Sequence, residues 1–155
     1  MAASIVLRLT GGSSNSNPSL SLGGAGSSIE VSTIVLNNLF DNVTPEVAES
    51  GIVQYRAIDL HNTGDDIADS ITMYLSETLS VGSSLSCGLD ATMQSIINDN
   101  MPPSAVSFSF PTAENPLTVP SIAVNGRQRV WICRTISPET TNYRNDTGTI
   151  GIVYA

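Results

Sequence analysis

Apolar residues recur at every second position through much of this chain. In SIVLRLT (4–10), Ile5, Leu7 and Leu9 alternate with Val6, Arg8 and Thr10, the period of a strand with one buried face. The same period returns at 71–76, where Ile71, Met73 and Leu75 alternate with Thr72, Tyr74 and Ser76, and in AVSFSF (105–110), where Val106, Phe108 and Phe110 share a face. IEVSTIVL (29–36), QRVWICRTI (128–136) and TGTIGIVY (147–154) also have strand character, and Pro120 gives LTVPSIAV (117–124) the look of an edge strand. In IVQYRAIDLHN (52–62) neither face is cleanly apolar: Val53, Tyr55, Ala57, Asp59 and His61 fall on one side, Gln54, Arg56, Ile58, Leu60 and Asn62 on the other. The Asn, Gly and Asp residues of NTGDDIAD (62–69) suit a reversal, so 52–76 reads as a strand, turn, strand unit. NGRQ (125–128) reads as a hairpin turn before the strand of Trp131.

Three stretches break the pattern. Residues 11–28, GGSSNSNPSLSLGGAGSS, are Gly, Ser and Asn-rich without periodicity, which predicts a loop or extended flexible arm. NNLFDNVTPEVAESG (37–51) carries turn residues and a Thr-Pro pair expected to break regular structure, with Leu39 and Phe40 as apolar tethers. LDATMQSIINDN (89–100) spaces Leu89, Met93, Ile96 and Ile97 as one face of a short helix capped by Asp90. The sum is an all-β fold, an antiparallel β-sandwich of jelly-roll or Ig-like type with about eight strands and at most one short helix. Residues 1–28 then form the first strand and arm, and 29–155 the sandwich domain.

Composition narrows the partners. The 155 residues suffice for one domain with a real core, but only 13% are charged, so neutral polar groups must make most of the surface. With 14 acidic against 6 basic residues the net charge is −8, which opposes contact with phosphate backbones and argues against nucleic acid as a partner. All the basic residues are arginines, and Arg127, Arg129, Arg134 and Arg144 fall close together in sequence. Arginine forms bidentate contacts with carboxylates, which makes these four the candidate interface residues. MAASIVLRLTGG lacks a basic start, and its apolar run ends within about five residues, predicting neither a signal peptide nor a membrane span, and hence a cytoplasmic product. In that setting Cys87 and Cys133, far apart and outside any metal-ligand spacing, are expected to be separate buried thiols.

The chemistry-bearing residues do not assemble into a motif. His61 is the lone histidine, and no GxSxG elbow or comparable nucleophile signature accompanies it, so a structural role at a strand end is expected. Asp65, Asp66 and Asp69 lack the alternating ligands and closing Glu of a calcium loop and read as a solvated turn. Glu46 and Glu49 are not read as a glycosidase pair, which is defined by separation in space and not by sequence spacing, and the sequons at Asn42 and Asn145 have no secretory signal before them. No phosphate-loop, dinucleotide or zinc spacing occurs. The expectation is a protein without enzymatic activity, cofactor or metal.

Three blocks carry a resemblance. LFDNVTPEVAESGIVQYRAIDLHNTG (39–64), MPPSAVSFSFP (101–111) and VNGRQRVWICRTISPET (124–140) resemble, in order and spacing, segments of small structural proteins encoded among the virion genes of tailed bacteriophages. Residues 11–28 have no counterpart in that pattern. The resemblance implies a β-sandwich virion component that decorates and cements the capsid exterior. Made in the host cytoplasm, it would contact the major capsid protein and itself, as a homotrimer or homodimer. Arg127, Arg129, Arg134 and Arg144 would then pair with capsid carboxylates or balance acids on their own sheet. The alternative is a tail- or baseplate-associated receptor- or glycan-binding module, which would need an exposed aromatic platform from only eight aromatic residues.

Overall fold

A computed structural model of the chain describes residues 1–34, 37–79, 81–138 and 147–155. Among these, eight strands build two antiparallel sheets. The larger has the order β2-β1-β3-β7-β5, from β1 (Ile5–Thr10), β2 (Gly26–Glu30), β3 (Ile52–Asn62), β5 (Ser83–Asp90) and β7 (Arg127–Ile136). The smaller has the order β6-β4-β8, from β4 (Thr72–Thr78), β6 (Leu117–Thr118) and β8 (Thr147–Val153). From β3 onward successive strands alternate between the sheets. Residues 52–76 are therefore not a hairpin: β3 and β4 lie in opposite layers, and the turn at 62–71 carries the chain across the sandwich.

The core lies between the sheets. Leu9, Ile58, Leu60, Cys87, Val130 and Ile132 from the larger sheet meet Met73 and Leu75 of β4, with Ala68, Ile71, Val119 and Ile122 from the flanking turns. Ile150 and Ile152 of β8 are only partly covered by this core. Cys87 and Cys133 are free and buried, as expected, and burial pushes the Cys87 thiol up to about 11.

Besides IEVSTIVL, whose strand ends at Glu30, and NGRQ, which leads from β6 of one sheet to β7 of the other instead of closing a hairpin, four local expectations change. The helix over 89–100 does not form: β5 runs through Asp90, Ile97 is 85% exposed and Met93 adopts a positive φ. The one short α-helix among the described residues is instead Pro45–Ser50 (α1), with Thr44 as N-cap, Pro45 in the first turn and Gly51 at its end. The Thr-Pro pair starts a helix here, because proline's missing N–H costs nothing in a first turn. Residues 105–110 form no strand of their own, although Ser109 exchanges backbone hydrogen bonds of 2.8 and 2.9 Å with Cys87 at the edge of β5.

The fourth change concerns residues 11–28. They do not extend as an arm but fold back across the polar side of the larger sheet, and the boundary at 28/29 falls inside β2. Ser21 is fully buried there: its Oγ donates to Ala57 O at 2.6 Å and accepts from Thr10 N at 2.9 Å, while Ala57 N donates to Ser21 O at 2.8 Å. The composition that resembles disorder supplies close approach instead. A Cβ on Gly26 would stand 2.5 Å from both Arg127 Nη1 and Asp59 Oδ2, so only glycine lets this strand lie over the charges.

Candidate functional site

Polar positions of β3 and β7 that alternation assigns to solvent are roofed over by residues 11–28 and 91–100. Asp59 and Arg129, directly opposite in the β3–β7 register, are both fully buried. Arg129 Nε donates to Asp59 Oδ1 at 2.6 Å and Nη2 to Oδ2 at 3.3 Å, a bidentate pair. The remaining donors of Arg129 reach Gly24 O at 2.7 Å and Gln94 O at 3.2 Å, one carbonyl from each roofing segment. Arg127 Nη1 adds a longer contact to Asp59 Oδ2 at 3.4 Å and donates to Ser27 O at 3.0 Å. The guanidinium of Arg129 thus fastens both segments to the sheet.

His61 borders this layer. Arg8 Nε donates to its Nδ1 at 2.8 Å, which requires that nitrogen to be unprotonated. Burial, reinforced by the nearby Arg127 and Arg8 charges, holds the imidazole below its ordinary 6.5, against the opposing pull of Asp59 and the Asn125 backbone. The unfolded chain therefore binds a proton that the folded one refuses. Stability from this group is complete above about pH 6.5 and is lost as pH falls below that value toward the lower folded pKa. Urea midpoints are expected to fall between pH 7 and 5 for the native protein and to fall less for His61→Gln; parallel curves would count against this.

On the same face Trp131 is fully buried and its Nε1 donates to Asp90 Oδ2 at 2.8 Å. Burial pushes the Asp90 carboxyl up, but bonds from Trp131, Thr92 and Gln94 outweigh it and hold the pKa below the usual value. Across the sheet, Arg134 and Arg56 lie over the Phe40 ring at 4.8 and 5.3 Å from its centroid. Arg56 also pairs with Asp99 at 3.1 Å, and Arg134 donates to Asp41 O at 2.7 Å and to Gln54 Oε1. Burial, then the neighbouring Arg56 charge, lowers the pKa of Arg134, with Asp41 and Asp99 opposing.

The four arginines expected at an interface thus do not form one outward patch. Arg129 is enclosed, Arg127 turns toward Asp59, Arg134 stacks on Phe40 on the opposite side of the sheet, and Arg144 lies outside the described residues, as does Asn145. Two of the turn aspartates accept from backbone groups: Asp65 from Ala2 N at 2.7 Å, and Asp66 Oδ1 from Ile67 N at 2.9 Å. Among the described residues no three His, Cys, Asp or Glu side chains group to hold a metal ion, and no helix is long and apolar enough to cross a membrane.

The surface left open belongs to the smaller sheet. Met73 and Leu75 point inward, so Thr72, Tyr74 and Ser76 face outward, opposite Val153, Gly151 and Thr149 of β8. The Tyr74 ring lies over Gly151, where a Cβ would come within 2.2–2.6 Å of three ring atoms, so glycine leaves room for a flat aromatic. Beside this strip an open concavity of about 490 Å³ is lined by Tyr74, Ser76, Glu77, Phe110, Thr112 and Glu114. Sequence reasoning passed over this surface, although the run of Thr, Gly and Ile without charge in 147–153 was its signal. No protein-family model, curated protein or solved structure matches this chain. The resemblance to phage virion proteins rests on its three motif blocks alone.

Proposed function

We propose that this chain is a non-enzymatic virion structural protein that decorates and cements the exterior of a tailed-phage capsid, binding the major capsid protein and copies of itself. The observation that carries the reading is the division of the surface. The polar side of the larger sheet is consumed internally by Asp59, Arg129 and the roofing segments, whereas the smaller sheet presents an uncharged, hydroxyl-rich strip. A rigid sandwich with one such strip suits attachment to a repeating protein lattice, where several weak contacts formed together give durable binding. Arg129 is not an attachment residue in this reading, since both its charge and its donors are already engaged.

A second reading has one observation in its favour. The concavity beside the strip combines the Tyr74 and Phe110 rings with Ser76, Thr112, Glu77 and Glu114, groups that suit a sugar in a tail- or baseplate-associated glycan-binding module. Purified protein added to particles that lack it separates the two. Cementing predicts copies in the number of a lattice axis and heads that survive higher temperature or osmotic shock. Binding at a few copies on the tail tip, with no gain in head stability, would reject cementing in favour of the glycan module.

A further inference from the structure

We propose that the outer edge of β8 is a self-pairing interface through which two copies of this chain join their smaller sheets, antiparallel, into one six-stranded sheet. In the order β6-β4-β8, β8 is terminal, and the hydrogen-bond pattern fixes which of its groups are open. Val119 N donates to Ile71 O at 2.9 Å and Leu75 N to Pro111 O at 2.8 Å, so odd-numbered residues of β4 turn their backbone groups away from β8. The even-numbered Thr72, Tyr74 and Ser76 then bond Val153, Gly151 and Thr149. Alternation leaves the N–H and C=O groups of Gly148, Ile150 and Ile152 pointing outward, and among the described residues none pairs with them. What completes such an edge is another strand.

A second copy fits better than an unrelated segment for three reasons. First, the open groups are self-complementary. With a two-fold axis at Ile150, Ile150 faces its own copy, Gly148 faces the partner's Ile152, and Ile152 the partner's Gly148, so all the open groups bond at once. Second, Thr147–Val153 holds no charged residue in a chain of net charge −8, so this edge lets two copies meet with little like-charge repulsion. Natural edges are commonly blunted with lysine, proline or inward charge, and β8 has none of these. Third, Ile150 and Ile152 are only partly covered and Val153 is 57% exposed, so an adjoining strand would remove apolar surface from water on both sides of the sheet. The inference deepens the cementing reading by naming the surface that joins two copies. The two fail separately, because the dimer is measured on free protein and attachment on particles.

The test is sedimentation together with amide hydrogen exchange on the full chain. The native protein is expected to sediment at twice the 16.3 kDa of the chain, with the Gly148, Ile150 and Ile152 amides protected and their exposure rising on dilution. Thr149→Lys leaves the β4 ladder in place but sets two ammonium groups diagonally across the axis. It is expected to weaken the dimer roughly tenfold or more and to deprotect those amides, with circular dichroism unchanged. Thr147→Lys, farther from the axis, should act in the same direction but less, and serves if Thr149→Lys does not fold. A native monomer at the highest soluble concentration overturns the proposal. So does a trimer, since isologous edges close at two, and so does a dimer in which these amides exchange freely.

Discussion

Asp59→Ala should destabilise the folded chain by about 3–5 kcal/mol, the cost of leaving a buried charge without its partner. For a chain of this length that corresponds to a melting temperature lower by roughly 10 °C. The reason is specific to this pair. Arg129 has no exposed surface through which to regain water, and its other donors are held by Gly24 O and Gln94 O, so it cannot swing out without breaking a bond to each roofing segment. Residues 11–28 and 91–100 should consequently become susceptible to a nonspecific protease before the sandwich itself unfolds. The double variant Asp59→Leu with Arg129→Met removes both charges and should recover much of the loss, because a well-packed apolar pair is often as stable as the ion pair it replaces. Recovery would remain incomplete, since Gly24 O loses its donor and Gln94 O keeps only that of Gly24 N. A loss under about 1 kcal/mol for Asp59→Ala would mean that the pair is solvated and the roof loosely held.

Strand placement is legible for β3 and β7 as well as for β1, β4 and β8, but burial is legible only where one face meets core and the other water. β1, β4 and β8 alternate cleanly, and their boundaries fall close to those read from the pattern. β5 is obscured in the sequence although Leu85, Cys87 and Leu89 alternate with Ser84, Ser86 and Gly88, because the helical spacing of 89–97 claims its last residues. That spacing was coincidental: Leu89 packs against the core while Ile97 is exposed. The central strands β3 and β7 are buried on both sides, so Asp59, His61 and Arg129 look like a solvent face when taken one strand at a time. The burial of Asp59 and Arg129 depends on each other across a separation of 70 residues in sequence. No local period encodes such a pairing. For the open strip the difficulty was different: a run lacking charge gives no chemical motif, and its meaning lies in being the last strand of a sheet.

Trp131→Ala should be the most damaging apolar truncation, at about 3–5 kcal/mol for the cavity. Trp131 is the largest fully buried side chain, and the register sets Ala57 and Gly88, both small, directly beside it on the flanking strands. The space was made for one indole, and neither the methyl group of Ala57 nor the bare Gly88 can refill it. A second loss adds to the first, because the indole N–H is one of the donors that hold the Asp90 carboxylate in its buried site. Removing a hydrogen bond to a charged acceptor costs about 1.5–3 kcal/mol. Trp131→Phe separates the two terms, since it keeps most of the ring volume but removes the donor. Trp131→Phe should therefore retain much of the packing yet shift acid unfolding to higher pH. With one fewer bond the Asp90 pKa rises toward or above its unfolded value, and the stability it contributes above that range begins to fail earlier as pH drops. Combining Trp131→Phe with Asp90→Asn should cost less than the sum of the two single changes, because the lost bond is counted once. Strict additivity in that cycle would show that Asp90 is held by Thr92 and Gln94 alone and that Trp131 serves only to fill space.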